Sequence, residues 1–98
     1  MSALTESGNR AERLSEILKA VAHPLRLRII ALLCGQAETH VNGMAERLDT
    51  PQPIVSQQLR ILRARGLVQV TRENGFARYR LAEPALRELV CCMERCRR

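Results

Sequence analysis

Ninety-eight residues, 46% of them hydrophobic, suffice for one small domain and leave no room for a second. With one Phe, one Tyr and no Trp, the core must be aliphatic, which argues against a disordered chain and against a binding module built on stacked aromatics. Sixteen Lys and Arg against ten Asp and Glu leave a formal charge of +6, a balance that suits a polyanionic partner such as nucleic acid.

No apolar run approaches the roughly 18–20 residues of a membrane span, so no membrane partner is expected. Met1 to Arg13 is polar and lacks the apolar centre of a secretory signal. A cytoplasmic location, where thiols stay reduced, is therefore the expectation. Three of the four cysteines, Cys91, Cys92 and Cys96, crowd into the last eight residues. In such a compartment they read as free thiols, metal ligands or redox sensors rather than structural bridges.

In chain order, residues 1–8 read as a flexible arm. From Asn9 an amphipathic pattern places Leu14, Ile17, Leu18, Val21 and Ala22 at helical spacing. His23-Pro24 interrupts it, because a residue before proline avoids the helical region, and Pro24 suits the first turn of a new helix. That helix, Pro24 to Cys34, is apolar nearly all round and is expected to be central. Gln36 to Val41 connects it to a short helix from Asn42 to Leu48, with Met44, Ala45 and Leu48 inward. A turn at Asp49-Thr50-Pro51-Gln52-Pro53 opens the next helix, Pro53 to Arg65, where Val55, Leu59 and Leu62 recur on one face and Gly66 terminates. The period then changes to two: Val68 and Val70, then Ala77, Tyr79 and Leu81, alternate with polar residues around an Asn74-Gly75 hairpin turn. A last helix begins near Pro84, with Leu86, Leu89, Val90 and Met93 on one stripe.

Two helices joined by a tight turn and followed at once by a basic hairpin make a winged helix-turn-helix. The expected fold is mainly α with a β-hairpin wing, one domain over residues 1–98. In a helix-turn-helix the second helix enters the major groove while the first braces it on the backbone. The polar face of the Pro53–Arg65 helix has the chemistry for that role. Gln52, Ser56, Gln57 and Gln58 can exchange hydrogen bonds with base edges, and Arg60 can pair with guanine or a phosphate. In the wing, Arg72 and Arg78 flank Asn74 at the tip, within reach of phosphates or the minor groove. The plainer reading of the same residues is a solvated surface helix.

The segment AHPLRLRIIALL resembles the opening signature of the ArsR/SmtB family of metal-sensing repressors. PIVSQQLRILRARGLV is similar to that family's recognition helix, and RENGFARYRL to its wing. The likeness runs from about Glu16 to Leu81. It implies a homodimer paired through the first and last helices, bound to double-stranded operator DNA and released by an inducer. Pro51 stands where the family usually carries a capping Ser, which leaves Thr50 as the candidate cap. Gln58 replaces a frequent His.

The family's sensory sites vary, so the inducer rests on the ligands present. The positions of the Cys-Val-Cys run of the original arsenic sensors hold His40, Val41 and Asn42. The His-rich zinc site of the last helix is also missing, since His23 and His40 lie elsewhere and read as ordinary structural or solvent-exposed residues. What remains is Cys91, Cys92 and Cys96. Thiophilic ions prefer thiolates, and trivalent arsenic takes up to three sulfurs. On a helix Cys92 and Cys96 would stack with Cβ atoms about 5–6 Å apart, while Cys91 is turned by about 100° from Cys92. No resident cofactor is expected. The expected inducer is trivalent arsenic, as arsenite or a methyl arsenical, or antimony, acting on residues 84–98 as a dimerisation and sensing helix.

The competing reading packs all three cysteines as small apolar residues at the subunit seam. Another keeps the DNA binding but pairs Cys34 with a last-helix thiol in an oxidation- or persulfide-responsive switch. A third is a winged-helix protein-interaction module that never touches DNA. No nucleophile–base pair, phosphate loop or open metal site points to an enzyme.

Overall fold

The computed structural model describes residues 3–35 and 40–95. Among them the order is α1 (Ala3–Glu6), α2 (Gly8–Val21), α3 (Pro24–Gly35), α4 (Val41–Leu48), α5 (Gln52–Ala64), β1 (Val68–Glu73), β2 (Phe76–Leu81) and α6 (Pro84–Glu94). This is the expected winged helix-turn-helix, with one addition: part of the supposed arm forms the single turn α1. Ser7 then leaves the helical region and starts α2, its hydroxyl accepting from the Arg10 amide at 3.2 Å.

α3 is the hub, packing against α2, α4, α5, α6 and β2. Ile29, Ile30 and Leu33 are fully enclosed, and Leu25, Leu27, Ala31, Leu32 and Cys34 are half-buried. Met44 and Leu48 from α4, Val55, Leu59 and Leu62 from α5, and Leu67 and Val68 complete an aliphatic core. Leu86 and Val90 of α6 are buried in that same core. Half of the α6 stripe therefore packs within the subunit, because α6 lies directly on α3. Only Leu89, half-buried, and Met93, exposed, are left for another surface.

The α2 stripe is likewise divided. Ala20 and Val21 are buried and Ile17 is half-buried against the core, whereas Leu18 is 53% exposed. A leucine left in water near the end of a 14-residue helix is apolar surface without a partner inside one subunit.

Turn chemistry sets the register of the remaining elements. Asp49 adopts the left-handed region (φ 49°, ψ 48°) and caps α4, with its amide donating to the Ala45 and Glu46 carbonyls. Only Asp49, Thr50 and Pro51 separate α4 from α5. The Thr50 hydroxyl does not cap α5. It donates backwards to the Leu48 carbonyl at 2.9 Å, and Pro51 occupies the cap position without a side-chain bond. Beyond α5 the Leu67 amide reaches the Leu62 carbonyl and the Gly66 amide the Arg63 carbonyl, both at 3.0 Å. Gly66 at φ +76° permits this Schellman ending. In the wing Glu73 pairs with Phe76 across a two-residue loop, and both Asn74 (φ 51°) and Gly75 (φ 83°) take the positive φ of a type I′ turn.

Candidate DNA interface and thiol groove

The outer face of α5 is built by elimination. Val55, Leu59 and Leu62 are buried, so the positions between them must face outward. Gln52, Gln57 and Arg60 are exposed and Ser56 is half-buried, which brings four of the five expected helix contacts to one open surface. Gln58 is different. It is half-buried, and its Oε1 accepts from Arg26 Nε at 2.8 Å. Arg26 also donates through Nη1 to the Ala20 carbonyl at 3.1 Å, satisfying a backbone acceptor in the last turn of α2. One guanidinium thus braces α2, α3 and α5 together. Through its Oε1, Gln58 ties α5 to Arg26 of α3.

In the wing, Arg72 and Asn74 are exposed. Arg78 is also exposed, but its Nη1 lies 3.3 Å from Glu73 Oε1 across the hairpin. Such a surface pair is weak and can exchange its carboxylate for a phosphate. Arg80 Nε donates to Gln69 Oε1 at 3.2 Å, which stiffens the strand pair. Phe76, 66% exposed at the wing tip, sets its ring edge-on to that of His40, with centroids 6.1 Å apart. Sequence reasoning missed Arg26 and the Phe76–His40 contact. The first had a signal, an arginine that with Arg28 is one of two charged residues in an otherwise apolar helix. The second joins residues 36 positions apart and had none.

The thiols fall into two environments. Cys91 and Cys92 are free and exposed, Cys34 is free and half-buried, and Cys96 lies outside the described residues. A groove of about 920 Å³ between α3, the end of α4 and α6 has both Cys34 and Cys91 in its wall, whereas Cys92 does not line it. The angular offset between adjacent helical residues thus separates Cys91 from Cys92. Burial pushes the Cys34 thiol above its ordinary pKa, the Arg87 guanidinium partly offsets this, and Glu94 and Cys91 add to the rise. Arg87 also donates through Nη1 to the Cys34 carbonyl, linking α6 to the end of α3. Among the described residues no three His, Cys, Asp or Glu side chains are arranged to hold a metal ion. No described helix is long and apolar enough to cross a membrane.

Residues 23–70, from the start of α3 to the first wing strand, match the profile described as "Bacterial regulatory protein, arsR family". The chain is 41% identical over 81 residues to the biofilm growth-associated repressor of Agrobacterium fabrum, covering 83% of this chain and 68% of that one. It is 39% identical to the transcriptional repressor SmtB of Mycobacterium tuberculosis, but spans only 55% of that protein's length. Among solved structures, the transcriptional repressor BigR of Xylella fastidiosa superimposes with a TM-score of 0.83 at 30% identity, over the whole of both chains. The homodimeric winged helix-turn-helix domain of Mb0332 from Mycobacterium bovis covers 96% of this chain, and this chain covers 84% of it, with a TM-score of 0.75 at 26% identity. The fold, the exposed face of α5 and these likenesses lead to one conclusion: the chain belongs to the ArsR/SmtB family of winged-helix transcriptional regulators.

Proposed function

We propose that this protein is a homodimeric repressor that holds operator DNA through α5 and the wing. It releases that DNA when trivalent arsenic or antimony binds thiolates at the end of α6. The observation that carries the reading is the double role of α6. Its inner face, Leu86 and Val90, is locked into the core, while Cys91 and Cys92, directly after Val90 on the same helix, are exposed. A soft ion drawing Cys91, Cys92 and Cys96 together would have to turn or unwind the end of this helix, since adjacent residues point about 100° apart. Met93, 46% exposed on that stretch, and Leu18 on α2 supply apolar surface for a second subunit. A distortion of α6 would thereby reach the pairing of two reading helices. Gln52, Ser56, Gln57 and Arg60 would meet base edges, and Arg72, Asn74 and Arg78 the backbone or minor groove.

The test is a gel-shift titration on the promoter of the protein's own gene under reducing conditions, with arsenite, methyl arsenical, antimonite, zinc and cadmium in parallel. Release by the trivalent metalloids, lost in Cys91→Ser and Cys92→Ser but kept in Cys34→Ser, is the expected pattern. Operator release by zinc alone would overturn the choice of inducer.

The shared groove of Cys34 and Cys91 favours a second reading, a dithiol switch. There a low-molecular-weight disulfide would accept two electrons: Cys34 and Cys91 lose their protons and form one S–S bond, and two small thiols leave. Release by such a disulfide, abolished by Cys34→Ser, would select this reading over the first.

A further inference from the structure

We infer that the groove between α3, α4 and α6 binds an amphipathic organic anion, an apolar body carrying a carboxylate or sulfonate, independently of any thiol chemistry. Its volume of about 920 Å³ is at the upper end of the range for small-molecule clefts. Leu32 from α3, Leu48 from α4 and Val90 from α6 give it an apolar floor. Arg28, Arg47 and Arg95 stand in its wall, and none of the three forms a salt bridge among the described residues. Arg87 adds a fourth cation, although part of its donor capacity goes to the Cys34 carbonyl. Glu94 is the single acid in the wall among the described residues. Four guanidinium groups against one carboxylate repel a cation and leave an uncharged ligand no use for the rim. A bare inorganic anion, in turn, has no use for the floor. Only a ligand with both parts uses the whole surface, and arginine forks suit planar carboxylates and sulfonates. Because the walls belong to the first helix of the helix-turn-helix and to α6, an occupant would bridge the two.

The experiment uses the full chain without DNA and titrates it with anilinonaphthalene sulfonate, followed by fluorescence. Two controls dissect the probe: phenylnaphthylamine, which has the rings without the sulfonate, and sodium sulfate, which has the charge without the rings. Saturable binding of the sulfonate, about tenfold or more tighter than either control, is expected. The Arg47→Gln/Arg95→Gln variant should lose about tenfold in affinity. On the unsubstituted protein, the probe should slow alkylation of Cys91 by iodoacetamide and leave Cys92 unaffected, which locates the site even where the variant fails to fold. Equal binding of the neutral amine, an affinity in the folded variant within about twofold of the original, or equal protection of both cysteines would each overturn the inference.

Discussion

Arg26 Nε donates to Gln58 Oε1 at 2.8 Å, so the carbonyl oxygen of one amide expected on the DNA-facing helix is engaged within the protein itself. The same guanidinium holds the Ala20 carbonyl, which makes Arg26 a joint between α2 and α5. Hydrogen bonds to a charged group contribute about 1.5–3 kcal/mol, and a partly buried one falls near the lower end. Arg26→Ala and Gln58→Ala should each lower stability in urea unfolding, with a coupling energy of about 1.5 kcal/mol in the double-mutant cycle. Additive effects of the two substitutions would mean that the bond contributes nothing.

Base-facing and backbone-facing residues should separate by their response to salt and sequence. Arg60→Ala is expected to cost about 1–3 kcal/mol on the specific site and to relax preference at one base position. Arg72→Ala is expected to weaken binding to all duplexes alike and to lower the salt slope by about one. Fluorescence anisotropy at several salt concentrations distinguishes them. Identical behaviour of the two variants would remove α5 from the reading role.

Thiol reactivity should follow burial. The Cys34 pKa is raised, so at neutral pH its thiolate fraction is small and iodoacetamide should modify exposed Cys91 and Cys92 first. Below its pKa the Cys34 rate should climb about tenfold per pH unit. Arg87→Ala removes the charge that opposes the rise, so Cys34 should become slower still. The linkage has a definite sign: a raised pKa means that the folded chain keeps the proton longer than the unfolded one. Its stabilising effect is complete below the unfolded value of about 8.5 and is lost as pH rises through the folded value. Mass spectrometry of the alkylated peptides provides the check, and Cys34 reacting first would contradict the burial argument.

Leu18 and Met93 are exposed in one subunit, so replacing them should spare the fold and act on assembly. Leu18→Glu or Met93→Glu is expected to leave helical content intact and shift the protein to monomer in sedimentation analysis, because a carboxylate buried without a partner is strongly disfavoured. Dimers of undiminished affinity in both variants would place the seam elsewhere.

Much of this architecture was legible before any coordinates. His23-Pro24, Gly66 and Asn74-Gly75 are local instructions: each restricts or permits backbone angles at its own position, and each boundary appears within a residue or two of where it was expected. The winged helix-turn-helix follows from those signals plus the change of period from helix to strand. The Thr50 cap was misread because the choice of acceptor belongs to the turn as a whole, and the hydroxyl found the Leu48 carbonyl behind it.

What the order of residues determined by itself was periodicity, charge and chemistry: which faces are apolar, where the arginines cluster, and that soft sulfur gathers near the end. Tertiary structure decided how those faces were shared. It sent Leu86 and Val90 inward and left Leu18 and Met93 outside, occupied Gln58 with Arg26, and set Cys91 beside the wall that holds Cys34 while Cys92 faces away. The physical reason is that a helical pattern specifies a face but not its neighbour. Which partner covers that face depends on the crossing of helices far apart in the chain.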